Sequence, residues 1–317
     1  MDGWQALIRD KGWQVLASDK LSGGFTGSLY RLHLRDEAGQ DVRAVFKRFA
    51  PDRKAELAFY ERVVPHLPSG VPKLYGIVPD EGILIEDAGT ALKPIFIKSD
   101  LGRQRGLLER VVTVLADMHA TLAVKSQLWL VEGIVTPYPF DSSIAFAQEA
   151  LAELHRQIEQ LAGVNEALLA ELRMIESFFY PRYPDYVSDK QTFTHGDPHM
   201  ENILLDAGRI RLIDWEYASL AVPERDLAIL LQDVLDVRLH SFALTVFRQE
   251  LAKRGWVITD DFERSFTACL LDNTLMMLGF ELWKYRHGHL SKAEIETILP
   301  LKIAWIRNAY TRLKKED

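Results

Sequence analysis

The segment spanning residues 194–216 limits the possible folds of this chain more than any other, because it joins two β-compatible runs through a tight turn. Its sequence is THGDPHMENILLDAGRIRLIDWE. The pair Ala207-Gly208 is typical of a two-residue hairpin turn, and the residues on either side have the apolar and alternating character of strands. Counting outward from that turn places Asn202 opposite Ile213. The sequence therefore predicts a β-hairpin whose open end brings Asn202 and Asp214 side by side.

The polar side chains at this open end form a combination that suits phosphoryl transfer. Asp197 lies five residues before Asn202, in a loop whose backbone Gly196 and Pro198 restrict. Magnesium takes one or two carboxylate-type ligands and keeps its other positions for water and phosphate oxygens. A separate carboxylate can accept the proton of an attacking hydroxyl. The alternative is a surface hairpin in which these residues fall together by chance.

The run H-G-D-x-x-x-x-N followed by I-D-W-E resembles the catalytic and metal-binding loops of the aminoglycoside phosphotransferase and choline kinase family. Members of that family share the protein-kinase-like fold and phosphorylate small molecules. The resemblance implies an α+β, two-lobed fold, with a small β-rich N-terminal lobe that has one main helix and a larger, mainly helical C-terminal lobe. Gly196 and Trp215 replace the arginine and phenylalanine of protein kinases, which favours the small-molecule branch.

The resemblance also implies roles for the residues of the hairpin segment. Asp197 would orient the acceptor hydroxyl and receive its proton, while His195 would brace the catalytic loop through hydrogen bonds. Asn202 and Asp214 would bind Mg²⁺. The expected catalytic residues are therefore Asp197 and His195, and the expected cofactors are ATP and Mg²⁺.

Two earlier segments resemble nucleotide-binding parts of the same fold. A glycine-rich loop between two β-like runs contains Gly23 and Gly24, and the resemblance places it over the nucleotide phosphates. Lys47 lies inside an apolar strand, where a lysine needs either an edge position or an ionic partner. The resemblance implies that Lys47 binds the α- and β-phosphates and is held by Glu56 of the next helix. Glu61 on the same helix is the alternative partner.

An apolar strand that ends at Glu86, Asp87 and Ala88 resembles the hinge between the two lobes. In the family, the purine ring hydrogen-bonds to backbone groups of this hinge, so we expect the purine site at Glu86 to Ala88. The lobe boundary then follows at Gly89. A nucleotide-binding lobe would occupy residues 1–89, and a helical lobe with the catalytic loop and the acceptor pocket would occupy residues 90–317.

The C-terminal part of the chain has apolar residues at helical spacing. Residues 107–123, 144–161 and 166–180 are predicted to form amphipathic helices, and most of residues 227–313 further helices. His119 lies on the first of these helices and is predicted to be a core histidine rather than a ligand.

The charge balance and the cysteine count argue against several classes of function. Acidic residues number 45 against 38 basic residues, a net charge of −7, which argues against a nucleic-acid backbone as partner. No apolar run approaches the length of a membrane span, and the N-terminus lacks a signal-peptide pattern. Cys269 is the only cysteine, which excludes an internal disulfide and fits a reducing compartment. We expect a cytoplasmic monomer or homodimer with neither a membrane nor a nucleic-acid partner.

The sequence thus predicts an ATP-dependent enzyme that transfers the γ-phosphoryl group to a hydroxyl of a small molecule, such as an aminoglycoside, a choline-like amino alcohol or a sugar. Acidic residues in the C-terminal region favour a cationic acceptor, although surface acids are also ordinary in a protein of this charge: Glu216, Asp233, Asp236, Asp272 and Glu281. A catalytically silent kinase-like scaffold is the alternative. A protein kinase is less compatible, because the segment after Asp214 is too short for an activation loop.

Overall fold

The computed structural model describes residues 3–21, 28–49, 55–67, 69–157 and 159–316, and the chain divides into two compact units. The first unit comprises Met1–Val114, Val131–Ile134 and His195–Ala218. The second unit comprises Leu115–Leu130, Val135–Thr194 and Ser219–Asp317. The predicted glycine loop, with Gly23 and Gly24, lies outside the described residues.

Strands outnumber helices in the first part of the described chain, and helices dominate the second. The strands are β1 (Gln14–Leu21), β2 (Leu29–Arg35), β3 (Asp41–Arg48), β4 (Leu74–Val78), β5 (Gly82–Glu86), β6 (Thr90–Ala91), β7 (Thr136–Pro137), β8 (Thr192–Thr194), β9 (Ile203–Asp206), β10 (Arg209–Leu212) and β11 (Ser219–Ala221). The helices are α1 (Gly3–Asp10), α2 (Ala55–Arg62), α3 (Leu92–Ile97), α4 (Leu101–Val131), α5 (Phe140–Arg156), α6 (Glu166–Phe179), α7 (Tyr183–Tyr186), α8 (Glu224–Leu230), α9 (Val237–Lys253), α10 (Phe262–Arg286) and α11 (Lys292–Glu316).

The first unit is built on a five-stranded antiparallel sheet in the order β1-β2-β3-β5-β4. Because side chains alternate along a strand, Leu32 and Leu34 of β2 are buried on the same face as Phe46 of β3. Helix α1 covers that face with Trp4 and Ile8, which lie one helical turn apart. Burial of this face fixes the register of the strands, since a slip of one residue would expose it.

A second sheet of the first unit, in the order β10-β9-β6, contains the hairpin predicted from the sequence. Ala207 and Gly208 form its turn with φ angles of 43° and 83°, the left-handed conformation that a two-residue hairpin turn of this twist requires. The Ile213 N–H donates to the Asn202 carbonyl at 3.0 Å, so the predicted register is confirmed.

The second unit is mainly helical. The apolar faces of α5, α6, α10 and α11 meet in one core, in which Leu151, Leu172, Leu275 and Ile306 are buried. A small sheet in the order β7-β11-β8 completes this unit. Among the residues that the structure describes, no helix is both long enough and apolar enough to cross a bilayer.

These elements confirm the predicted α+β fold, with a β-rich N-terminal part that carries α2 and a mainly helical C-terminal part. The helix predicted over residues 107–123 is longer than expected, because α4 runs from Leu101 to Val131. The lobe boundary predicted at Gly89 stays a prediction.

Candidate active site

The catalytic loop begins with a backbone conformation that only glycine adopts easily. Gly196 has a φ of 83°, in the left-handed region. A Cβ at this position would overlap with the backbone carbonyl oxygen of Tyr217. The close approach of the two chain segments therefore explains why the arginine of the protein-kinase motif is absent here.

His195 is fully buried and joins the two halves of the hairpin segment. Its Nδ1 accepts a hydrogen bond from the Asp197 N–H at 3.2 Å, and its Nε2 donates to the Ile213 carbonyl at 3.0 Å. These bonds assign the neutral Nε2–H form of the ring. Both ring nitrogens thus bind backbone groups, one on each side of the hairpin segment, and the bracing role of His195 stays a prediction.

Asn202 connects the catalytic loop to the hairpin. Its buried side-chain amide nitrogen donates to the Asp197 carbonyl at 3.0 Å and to the Asp197 carboxylate at 3.2 Å. The amide oxygen is then the atom with which Asn202 can bind a cation. Asp214 follows β10 with a φ of 68°, at the start of a short 3₁₀ turn formed by Trp215–Tyr217.

Lys47 links two carboxylates that are far apart in the sequence. Its Nζ lies 2.5 Å from Glu56 Oε2 and 2.8 Å from Asp214 Oδ1. Burial is the largest influence and lowers the pKa of Lys47, but the two carboxylates outweigh it and raise that pKa above 10.5. Lys47 is therefore a positively charged side chain at neutral pH. Of the two glutamates left open by the sequence, Glu56 is the partner, while Glu61 is exposed.

An aromatic cluster adjoins Glu56 and Asp214, and it was not predicted from the sequence. Phe59 of α2 stacks on Trp215 with ring centroids 3.8 Å apart, and the His195 ring lies 4.3 Å from Trp215 on centroids. All three side chains are buried. The backbone N–H of Trp215 also donates to the Glu56 carboxylate, while its indole N–H donates to the Leu212 carbonyl at 3.3 Å. Trp215 thus packs helix α2 and the catalytic loop into one cluster.

The predicted hinge lies at the end of β5. The Glu86 and Asp87 N–H groups donate to the carbonyls of Lys73 and Arg43 at 2.8 Å and 3.1 Å. Ala88 is buried and its N–H is the next along the chain. Glu86 pairs with Ala44 of β3, so Lys47 lies three residues further along the neighbouring strand, about 10 Å away.

His199 also lies close to Asp197, although the sequence did not single it out. Its Nε2 lies 3.5 Å from Asp197 Oδ2, and its side chain is 32% exposed. The only signal in the sequence was its position between Asp197 and Asn202 in the catalytic loop.

Most of the acidic residues that favoured a cationic acceptor already have partners within the chain. Asp272 is buried and accepts hydrogen bonds from Arg225, Tyr138 and Ser143. Asp236 caps α9 and pairs with Arg238, and Glu281 pairs with Lys284 at 2.6 Å. These three carboxylates are held by groups of the same chain, which weakens the argument for a cationic acceptor.

Comparisons with known proteins give a consistent result. A sequence model described as the phosphotransferase enzyme family matches residues 20–261. The structure is similar to the GDP complex of aminoglycoside 2'-phosphotransferase-IIIa, with a TM-score of 0.60 and 17% identity over 96% of this chain and 98% of that chain. It is also similar to a macrolide 2'-phosphotransferase from Brachybacterium faecium, with a TM-score of 0.56 and 18% identity over 95% of this chain and 96% of that one.

A third similar structure is a choline kinase from Streptococcus pneumoniae, with a TM-score of 0.55 and 17% identity over 99% of this chain and 98% of that chain. No curated protein sequence matches the chain. At these identities the structural similarity establishes a shared fold.

Proposed function

This chain belongs to the phosphotransferase enzyme family, and from that premise we propose that it transfers the γ-phosphoryl group of ATP to a hydroxyl group of a small molecule. The proposal is supported by a series of contacts that joins Lys47 to Asp197. Lys47 binds Asp214, the adjacent Ile213 binds Asn202, and Asn202 binds Asp197. A phosphate-binding cation, two metal-ligand candidates and a candidate base are thereby held in one part of the first unit.

Lys47 is the residue that we assign to the α- and β-phosphates. Glu56 fixes its ammonium on one side, so that Lys47 keeps its position when the phosphates compete with Asp214 for it. The glycine loop with Gly23 and Gly24 is assigned to the same phosphates on the basis of the sequence alone.

Asn202 and Asp214 are the residues that we assign to Mg²⁺. Both residues present oxygen atoms, which are the ligands that Mg²⁺ prefers. The amide nitrogen of Asn202 donates to Asp197, which leaves its amide oxygen for the ion, and Asp214 provides a carboxylate. Within the described ranges no three His, Cys, Asp or Glu side chains form a metal cluster. Two protein ligands suit a cation that completes its shell with water and phosphate oxygens. When bound, Mg²⁺ neutralises charge on the transferring phosphoryl group.

Asp197 is the residue that we assign to the acceptor hydroxyl. Its N–H is bound by His195 and its carbonyl by Asn202, so the backbone at Asp197 is held from two sides. The carboxylate orients the hydroxyl and accepts its proton as the oxygen attacks the γ-phosphorus, while the bond from that phosphorus to the bridging oxygen breaks and ADP leaves. Most of the catalytic effect in such a site comes from alignment and charge neutralisation.

The purine is assigned to the backbone of Glu86 and Ala88. The N–H groups of Glu86 and Asp87 are used within the sheet, so Ala88 N–H and the carbonyl of Glu86 are the groups we assign to the base. Structures similar to this chain were solved with GDP, and with ATP and streptomycin, which supports the use of a nucleotide by this chain.

The acceptor is an aminoglycoside, a choline-like amino alcohol or a sugar. Similar structures include aminoglycoside and macrolide phosphotransferases as well as choline and ethanolamine kinases, so this fold serves acceptors of several chemical classes. A panel of such compounds, assayed by Mg²⁺-dependent consumption of ATP, identifies the acceptor as the compound that raises the rate above background.

The function is tested by the substitution Asp197→Ala. We expect turnover to fall by at least roughly a hundredfold, because the base is lost, while ADP binding measured by calorimetry is retained. Asp206→Ala is the control, since Asp206 lies at the turn end of the same hairpin and pairs with Arg209 on the surface. Turnover by Asp197→Ala at the wild-type rate contradicts the assignment.

A further inference from the structure

His199 contributes a polar group to the catalytic loop that the roles assigned so far do not use. Its Nδ1 accepts a hydrogen bond from the Glu201 N–H at 3.3 Å. A ring nitrogen that accepts a hydrogen bond carries no proton, so in the neutral ring the proton is on Nε2. His199 therefore directs an N–H group away from its own loop turn.

The group that this N–H faces is the candidate base. His199 Nε2 lies 3.5 Å from Asp197 Oδ2, and Asn202 Nδ2 lies 3.2 Å from the same oxygen. The two donors come from different positions in the loop. A carboxylate rotates easily about its last torsion angle, and donors from two directions restrict that rotation more than one donor does.

We propose that His199 is a positioning residue for phosphoryl transfer, whose Nε2–H holds the Asp197 carboxylate in the orientation that meets the acceptor hydroxyl. The proposal rests on the proposed function, in which Asp197 accepts the hydroxyl proton. Both side chains are about one-third exposed, with values of 32% and 34%, so the pair is accessible from solvent, from which an acceptor arrives. Small errors in the orientation of a reacting group cost rate rather than nucleotide affinity.

A purely structural role for His199 is the competing explanation. In that case the important contact is the bond from Glu201 N–H to Nδ1, which closes the loop turn. The His199 carbonyl also accepts from the Asn202 N–H at 2.9 Å, but this backbone bond is kept in any side-chain variant. The two ring nitrogens therefore separate the two roles, Nδ1 for the loop and Nε2 for Asp197.

Two amide substitutions test these nitrogens individually. The amide oxygen of Asn occupies the place of Nδ1, so His199→Asn keeps the acceptor for Glu201 N–H and loses the contact with Asp197. The longer amide of Gln reaches the place of Nε2, so His199→Gln keeps a donor toward Asp197. We measure kcat and KM for Mg²⁺-dependent ATP hydrolysis with water as the acceptor, together with the dissociation constant for ADP and the Tm.

If His199 positions Asp197, His199→Asn lowers kcat by roughly tenfold and His199→Gln by no more than about threefold, while KM for ATP and the ADP affinity stay within about twofold of wild type. If His199→Gln is as slow as His199→Asn, or if His199→Asn keeps the wild-type kcat, the inference is wrong. Asp197→Ala in the same assay separates this failure from that of the proposed function. Wild-type protein that neither hydrolyses ATP nor phosphorylates any acceptor of the panel faster than Asp197→Ala overturns the proposed function and, with it, the inference.

Discussion

Gly196 is the position of the catalytic loop at which the backbone geometry most strongly restricts the residue type. Its φ of 83° alone disfavours any other residue, and the carbonyl oxygen of Tyr217 occupies the place of a Cβ. The obstructing atom belongs to the backbone, so it cannot move aside as the end of a flexible side chain can. The glycine in the H-G-D motif is therefore a steric requirement of this loop.

Gly196→Ala should destabilise the protein and reduce turnover. Gly255 provides the matched control, because it has a φ of 82° and its Cβ position is open. Gly255→Ala should cost about 1 kcal/mol for the left-handed conformation alone. We expect Gly196→Ala to cost about 1–3 kcal/mol more in the free energy of unfolding, measured by denaturant titration. Equal losses for the two variants would show that the overlap with Tyr217 relaxes without cost.

The proximity of several candidate residues could be predicted because they lie in short motifs. The hairpin count placed Asn202 beside Asp214, the H-G-D motif singled out Asp197, and Glu56 was one of two glutamates expected near Lys47. The contacts of His199 and the stack of Trp215 on Phe59 could not be found in this way. They depend on side-chain directions and on the packing of segments that are far apart in the chain, neither of which a periodic pattern encodes.

Helix α2 is the element whose placement decides the geometry around Lys47. Glu56 and Phe59 lie three residues apart on α2 and therefore on one side of it. Glu56 binds Lys47, and Phe59 stacks on Trp215, which directly follows Asp214. The position of α2 thus affects both carboxylates that bind Lys47, Glu56 directly and Asp214 through the neighbouring Trp215.

Phe59→Leu tests this dependence. The stack on Trp215 is lost, so we expect looser placement of Glu56, a fall in turnover of roughly tenfold and a weaker affinity for ADP. Phe96→Leu is the control, since Phe96 is equally buried in the first unit but lies on α3. Both variants should lose similar stability, about 1–2 kcal/mol, as measured by thermal denaturation. The same turnover in both variants would contradict a specific role for the stack.

The ends of helix α4 show how far the spacing of apolar residues can predict helix boundaries. The apolar spacing predicted residues 107–123, whereas the helix begins at Leu101 and ends at Val131. Gly102 and Gly106 reduce helix propensity in the first two turns, and Val124 at the C-terminal end of the prediction is exposed rather than buried. The N-terminal end therefore lacks the apolar stripe by which a helix is recognised, whereas the apolar residues at helical spacing beyond residue 123, Val124, Leu128 and Val131, are exposed.

At the scale of the whole molecule, the family and the kind of enzyme were predictable, while the acceptor was not. The hairpin motif identified the phosphotransferase family, and the prediction of a small-molecule kinase is confirmed. The acidic residues of the C-terminal region were a poor guide, because a sequence counts acids without showing their partners. Asp272 is the clearest case, since Arg225 and two hydroxyl groups surround it in the core.

The free energy of unfolding of the whole chain depends on pH, and Glu224 contributes to that dependence. Glu224 is buried, and within the described residues its Oε2 has no hydrogen-bond partner. Burial, with the nearby charge of Asp261, raises the pKa of Glu224 from 4.5 to about 8. Between these two values the folded chain keeps a proton that the unfolded chain releases. The free energy of unfolding therefore falls as pH rises through this window.

Glu224→Gln removes this titration and keeps the size of the side chain. We expect the variant to be more stable than wild type near pH 8.5, by on the order of 2–4 kcal/mol, and the advantage to shrink toward about pH 5.5. Thermal denaturation at both pH values measures the difference. Asp189→Asn, at an exposed position of the second unit, controls for the loss of one negative charge. An advantage of Glu224→Gln that is equal at both pH values would mean that the Glu224 carboxyl does not titrate differently in the folded and unfolded chains.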